Sequence, residues 1–324
     1  MNKKILIYNS GGGLGDSIQL FPLILSLQNY FKHYKFYYLS AHENHFSKKL
    51  KEYGIKNLET LDLKLKYFGF RWWHLLSAKK NFLNLKINEF DLIIDLQSKF
   101  RNTLILKRIP SKKFYSSTYR FNFCSNKFSF VKRDNISEMT LLNLENFLNI
   151  KIERIKYQIN QLPARYIEES KRLLPENGYI GFSLTQGNEY RKKSWPLNMF
   201  ISLAKKVQSK NKKPVFFIDK SNKIIIEKIK SQMRGALFPE QNTSLSCPAL
   251  VTALSTRLDK AVSIDNGIMH MISLASVPMI VLFGPTNSKK FKPDQKNITI
   301  LDSKQMYGSK DVSKIKLDDV LKFL

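Results

Sequence analysis

Apolar positions along the chain fall into short runs of four to six residues that alternate with longer stretches carrying an apolar residue every third or fourth position. The runs read as buried strands and the longer stretches as helices. The alternation begins with a strand over 5–8, a glycine-rich turn over 10–15, a helix over 16–31 with Pro22 in its early turns, and a strand over 36–39. It continues with an amphipathic helix over 72–85, a strand over 91–96 and a helix over 138–148. A polar break at 158–163 ends this half. The second half restarts with a helix over 164–174, a strand over 179–184, a helix over 197–209, a strand over 214–218, and helices over 223–233 and 248–256. A strand over 261–264, a short helix and a strand over 279–282 close the pattern. Strand–helix alternation of this kind predicts an α/β fold with parallel sheets.

At 324 residues the chain exceeds one ordinary core, so two domains of about 150 residues are expected. The predicted boundaries are 1–160 and 161–324. No apolar run approaches the roughly 18 residues of a membrane helix, and residues 5–8 are too short for a secretory signal core. A cytoplasmic protein is therefore expected. Cys124 and Cys247 are the only two cysteines, which supplies neither a disulfide framework nor a zinc site.

The densest chemistry lies near the end. Ser263, Ile264, Asp265, Asn266, Gly267, Ile268, Met269 and His270 are followed by Val277-Pro278, the apolar run 279–282 and Phe283-Gly284-Pro285-Thr286. The pattern is strand, polar turn, helix, strand, Gly-Pro turn. Asn266 and Gly267 tolerate unusual backbone angles, so a helix can open there with its N–H groups and partial positive charge outward, which attracts an anion. Gly284 and Thr286 arrive at the same carboxyl edge of a parallel sheet, where α/β folds bind ligands. A phosphate-bearing ligand is the expectation.

This segment resembles glycosyltransferase family 9, the ADP-heptose:lipopolysaccharide heptosyltransferases, in its D-x-G-x-x-H turn, Val-Pro strand and Gly-Pro-Thr loop. Three further marks of the family stand in order: Gly13-Leu14-Gly15-Asp16 with Pro22, Asp91-Leu92-Ile93-Ile94-Asp95-Leu96-Gln97, and Lys193-Ser194-Trp195-Pro196. The resemblance implies a GT-B fold, two Rossmann-like domains facing each other across a cleft, with an acceptor-binding N-terminal domain and a donor-binding C-terminal one. It implies inverting transfer of a sugar, heptose from ADP-heptose, onto a lipopolysaccharide core or related lipid-linked anionic glycan. Relatives that use UDP-hexoses keep another nucleotide sugar open, and a non-catalytic basic binding protein is a further alternative.

The resemblance makes Asp16 the general base that takes the acceptor's proton; by residue type alone Asp16 reads as a helix cap. Gly12, Gly13, Gly15 and Gln97 would line the acceptor side. The glycine turn is neither a Walker loop nor a dinucleotide fingerprint, because it lacks the closing Lys-Ser/Thr and the third glycine. On the donor side, the resemblance assigns Lys193 to the phosphates, with Thr185 and Gln186 beside it and His270 near phosphate or sugar. Chemistry alone does not choose Lys193 over Arg191 and Lys192. Relatives have a Pro-Gly-Ala type turn where this chain has Gln186-Gly187-Asn188, so the phosphate contacts differ in detail. Asp219 is the candidate for the ribose hydroxyls, or a turn aspartate. No Asp-x-Asp occurs, so no metal or other cofactor is expected, with Lys193, Thr286 and helix N–H groups meeting the leaving group's charge.

A net charge of +28 is spread over both halves. Residues 99–133, opening on Lys99 and closing on Arg133, hold ten basic residues, no acidic one and eight aromatics, among them Phe114, Tyr115, Tyr119, Phe121, Phe123, Phe128 and Phe130. Such interleaving suits an anionic membrane surface or single-stranded nucleic acid, or is an aromatic core under solvated lysines. Lipid is the preferred partner, peripheral on the inner face of the cytoplasmic membrane, since no nucleic-acid module is found.

Overall fold

The computed structural model describes residues 3–65, 68–69, 71–187 and 192–324. The chain divides into two compact units, 1–157 and 158–324, against the expected 160/161.

In the first unit β1 (Lys3–Asn9) leads through α1 (Leu14–Ile18) and α2 (Phe21–Tyr30) to β2 (Tyr34–Ser40) and β3 (Leu58–Leu61). Then follow α3 (His74–Leu83), β4 (Phe90–Asp95), α4 (Phe100–Leu106), β5 (Ser111–Ser116) and α5 (Ile136–Leu148). The strands form one sheet in the order β3-β2-β1-β4-β5, all parallel. Ile5, Leu6, Ile7 and Tyr8 are all buried, as a strand covered on both faces must be; that is why β1 is an unbroken apolar run.

The expected single helix over 16–31 is two. Pro22 lies in the first turn of α2; it has no N–H to offer Ile18, and its ring would collide with that carbonyl in a continuous helix. The chain therefore ends α1 at Ile18 and restarts at Phe21. Asn135 caps α5 by accepting from the Glu138 N–H.

In the second unit α6 (Ala164–Leu173), β6 (Tyr179–Ser183), α7 (Leu197–Ser209), β7 (Lys213–Phe216), α8 (Lys223–Gln232) and α9 (Pro248–Ser255) precede β8 (Leu258–Ile264). Next come α10 (Gly267–Leu274), β9 (Met279–Phe283), α11 (Ser288–Phe291), β10 (Ile298–Asp302), α12 (Ser303–Tyr307) and α13 (Leu317–Leu321). The parallel order is β10-β9-β8-β6-β7. Trp195, buried just ahead of α7, packs edge-on against Phe200 at 5.0 Å and donates its indole N–H to the Ile315 carbonyl.

Each sheet has one place where successive connections leave in opposite directions: between β1 and β4 in the first unit, and between β6 and β8 in the second. The crevice beyond the carboxyl ends of such a strand pair is where open α/β sheets bind ligands. In the first unit it falls at Asn9 and Asp95; in the second, at Ser183 and Ile264.

The acid-free stretch 99–133 is turned inward in its aromatic half, contrary to a membrane-facing reading of those rings. Register against β4 buries Phe114 and Tyr115. Tyr115, Phe121, Phe128 and Phe147 then stack on one another at ring distances of 5.4 to 6.3 Å. Phe100, Tyr119 and Phe130 stay exposed. The ten cations are exposed, but Lys112 pairs with Asp91 at 2.8 Å. No helix of the described residues is long and apolar enough to cross a membrane.

Candidate functional site

At the first unit's sheet edge, Asn9 organises the glycine turn. Its Oδ1 accepts from the Gly11 N–H at 2.9 Å and from Gln97 Nε2 at 2.7 Å, while its amide donates to the Tyr38 hydroxyl at 3.2 Å. Burial pushes the Tyr38 phenol up to about 12, so it remains a neutral partner. Gln97 is thus brought to the glycine turn, held also by its N–H on Asp95 Oδ1.

Asp16 occupies the third position of α1 and accepts from the Gly13 N–H at 3.0 Å. It is half-buried. A Cβ on Gly11 would stand 2.8 Å from Asp16 Cβ, and one on Gly13 would stand 3.0 Å from Asp16 Oδ2. These glycines serve the seating of Asp16 itself. Gly12 presents its carbonyl to His45 Nε2 at 3.2 Å and faces the His42 ring, while Gly15 is buried within α1. His42 and His45 were not singled out in the sequence, because they follow β2 and reach the turn only through the fold.

Asp95 ends β4 fully buried, accepting from Thr103 Oγ1 at 2.6 Å and Ser116 Oγ at 2.8 Å. Burial pushes its carboxyl up to about 6, outweighing those hydrogen bonds. The carboxylate ties α4 and β5 to the end of β4, just ahead of Gln97.

At the second unit's edge, Lys193 Nζ meets Asp265 Oδ2 at 2.5 Å, with side chains only 13% and 7% exposed. Lys193 Nζ also reaches the Asp265 carbonyl at 3.4 Å, and Thr286 Oγ1 donates to the same Oδ2 at 2.6 Å. Gln186 Oε1 accepts from the Lys193 N–H at 2.8 Å. Asn266 caps α10: Oδ1 accepts from Met269 N–H at 2.9 Å, and Nδ2 donates to Ser183 Oγ and the Thr185 carbonyl. The segments following β6, β8 and β9 are thus tied together at one edge of the sheet.

Three expectations change. Asn266 has φ −144° and ψ 179°, ordinary extended backbone; its value to the turn is the cap rather than an unusual conformation. Thr286 uses its single hydroxyl proton on Asp265, which leaves it only acceptor capacity toward a phosphate. Gly284 is dictated by packing, since a Cβ there would lie 2.4 Å from Val312 Cγ2 and 2.5 Å from the Lys310 carbonyl oxygen. Among the described residues Lys193 Nζ directs two of its three N–H donors at Asp265, which leaves one to meet an incoming anion. The first residue of α10 is Gly267, and His270 lies buried one turn on. Asn188 and Arg191 lie outside the described residues.

Asp219 sits past the end of β7 and takes both the N–H and the hydroxyl of Ser221, at 2.9 and 2.6 Å, the geometry of a turn aspartate. Its electrostatic neighbour Glu240 was missed in the sequence. Glu240 is buried, and its Oε2 has no hydrogen-bond partner among the described residues. Burial above all, then the charge of Asp219, pushes its carboxyl up to about 7, against Ser246 and Lys220. Among the described residues no three His, Cys, Asp or Glu side chains gather as a metal site.

Two parallel five-stranded Rossmann-like sheets, each with its polar cluster at the strand pair where the order reverses, define a GT-B architecture. Residues 79–320 match glycosyltransferase family 9 (heptosyltransferase), and the chain belongs to that family. A glycosyl transferase family 9 protein from Veillonella parvula superposes with a TM-score of 0.72 at 18% identity, covering 99% of this chain and 96% of that one. E. coli heptosyltransferase WaaC with ADP gives 0.69 at 14% identity, covering 99% and 98%. E. coli ADP-heptose LPS heptosyltransferase II gives 0.66 at 15%, covering 98% and 96%. At these identities the likeness speaks to the fold, and the family match carries the enzyme class: a glycosyltransferase. No curated protein matches the chain.

Proposed function

We propose that this protein is an inverting, metal-independent glycosyltransferase that moves heptose from ADP-heptose onto a lipid-linked anionic glycan of the lipopolysaccharide-core type, working at the cytoplasmic membrane surface. The observation that supports it most is the Lys193–Asp265–Thr286 cluster beside the opening of α10. It sits at the strand pair where α/β sheets take ligands, in a chain whose family is that of the heptosyltransferases. The second unit would take the donor and the first the acceptor.

In this reading Asp16 accepts the proton of an acceptor hydroxyl. The hydroxyl oxygen forms a bond to the anomeric carbon from the face opposite the diphosphate. The bond from that carbon to the phosphate oxygen breaks, and its electron pair leaves with the nucleoside diphosphate. Lys193 Nζ and the N-terminal end of α10 would meet the developing charge, where preorganised donors act most strongly. A general base contributes about 10²–10⁴-fold. Asp219 is the proposed acceptor for the ribose hydroxyls, with Glu240 as its electrostatic neighbour.

The test is a panel of nucleoside diphosphates and nucleotide sugars scored by thermal stabilisation, followed by transfer assays with the stabilising donor. ADP and ADP-heptose should raise the melting temperature through binding to the folded state, and ADP-heptose should be consumed. Stabilisation by UDP-hexoses alone would move the reading to another donor within the family; stabilisation by none would oppose a donor-binding role.

A further inference from the structure

Helix α3 and the turn that leads into it carry an exposed apolar stripe. Its inner face is fixed by buried His74, Ala78 and Phe82, four positions apart, with Phe82 against Phe90 at 5.7 Å and His74 Nδ1 accepting from the Gly69 N–H. That spacing occupies one helical face, so other apolar positions must point away. Trp72 is 73% exposed, Trp73 45%, Leu76 63% and Leu83 60%. Arg71, Lys79, Lys80 and Lys86 surround them, all exposed, and Arg71 lies 5.4 Å from the Trp73 ring centre. No Asp or Glu occurs between Asp62 and Glu89.

We propose that this face of α3 is the docking surface for an anionic lipid bilayer, with the helix lying in the plane of the headgroups. Indole rings, apolar in body and able to donate one N–H, favour the membrane–water interface, and two leucines extend the same stripe into the acyl boundary. The four cations complement anionic headgroups. A second copy of the chain would bring the same cations together, which opposes self-association through this face. Leu76 and Leu83 present nothing on which a base could stack or hydrogen-bond, which disfavours nucleic acid. Attachment would hold the enzyme where a lipid-linked acceptor resides. The inference deepens the proposed reading and rests on it for that purpose, but the docking itself needs neither donor nor acceptor.

The chain offers a direct probe. Of its three tryptophans, Trp195 is buried and hydrogen-bonded, so a lipid-induced change in indole emission reports Trp72 and Trp73. The full-length protein is mixed with phosphatidylcholine vesicles containing none or a third phosphatidylglycerol, and then with brominated lipid. The expected result is a blue shift and bromine quenching on the anionic vesicles, weakened by salt because exposed charges are screened. Trp72→Ser/Leu76→Ser/Leu83→Ser and, separately, Lys79→Glu/Lys80→Glu should each lower vesicle affinity at least tenfold with unchanged melting temperature. Lys107→Ser/Arg108→Ser/Lys112→Ser/Lys113→Ser should bind nearly as wild type. Pelleting without an emission change, equal binding by the α3 variants, a concentration-dependent dimer, or a shift with single-stranded RNA and none with vesicles would each overturn the proposal. Because no sugar transfer is read, such a failure leaves the donor chemistry untouched.

Discussion

Lys193 and Asp265, 72 positions apart, meet at 2.5 Å and carry one charge each into the edge of a single sheet. The pair draws the segment after β6 onto the segment after β8, so it is structural as well as chemical. Lys193→Met should leave the Asp265 carboxylate buried without its cation, a loss of about 3 kcal/mol. Lys193→Met/Asp265→Asn should recover most of that stability and none of the activity. Denaturant unfolding beside a transfer assay separates the two. If the double variant regains activity with its stability, the lysine does not serve the leaving group.

Glu240→Gln should uncover a pH-dependent gain in stability. The Glu240 carboxyl is raised from 4.5 to about 7 in the fold, so the folded state binds a proton between these values that the unfolded chain has released. Its contribution is therefore fully present below about pH 4.5 and is lost as pH rises through 7. Gln keeps the acceptor toward Ser246 and never ionises. The variant should match wild type at pH 4.5 and exceed it by at most about 3 kcal/mol at pH 8, from 1.36 kcal/mol per pKa unit. Paired melting curves across this range check it; a difference independent of pH would contradict the burial argument.

Gly11→Ala should lower turnover by about tenfold or more while the second unit's donor affinity stays unchanged. The added methyl meets Asp16 Cβ at 2.8 Å, so either α1 or the carboxylate must shift, and displacements of an ångström at a catalytic group are worth up to about 10²-fold. Nucleotide titration and kcat measured on the same preparation decide the matter.

What the sequence conveyed and what it hid follow from range. β1 and β9 were legible because strands buried on both faces are unbroken apolar runs, and the D-N-G turn before α10 reads locally. β5 was not, since Lys112 and Lys113 dominate its first half and its apolar residues are two; β3 is four residues with no buried side chain. Helical periodicity located α3 but could not say which apolar face would remain uncovered, because that depends on what packs beside it. Likewise Asp265 was recognised from its neighbours in sequence, whereas its partners Lys193 and Thr286 are joined to it only by the sheet. Glu240 follows a proline in the single 3₁₀ turn Pro239–Asn242, and nothing local announces its burial.

Activity should survive EDTA. Charge on the leaving diphosphate is assigned to Lys193 and the α10 N–H groups, and the chain has no Asp-x-Asp. Turnover before and after chelation, followed by addition of Mg²⁺ or Mn²⁺, tests this; loss on chelation with recovery on readdition would show that a cation shares that role.

The most direct measurement is single-turnover transfer by Asp16→Asn beside its affinity for ADP. Asn can still accept from the Gly13 N–H, so the turn that seats Asp16 is preserved while the base is lost. Transfer from ADP-heptose should fall at least about 10²-fold, within the range of general-base catalysis, with ADP binding unchanged. A variant that retains more than about a tenth of wild-type transfer would contradict Asp16 as the proton acceptor.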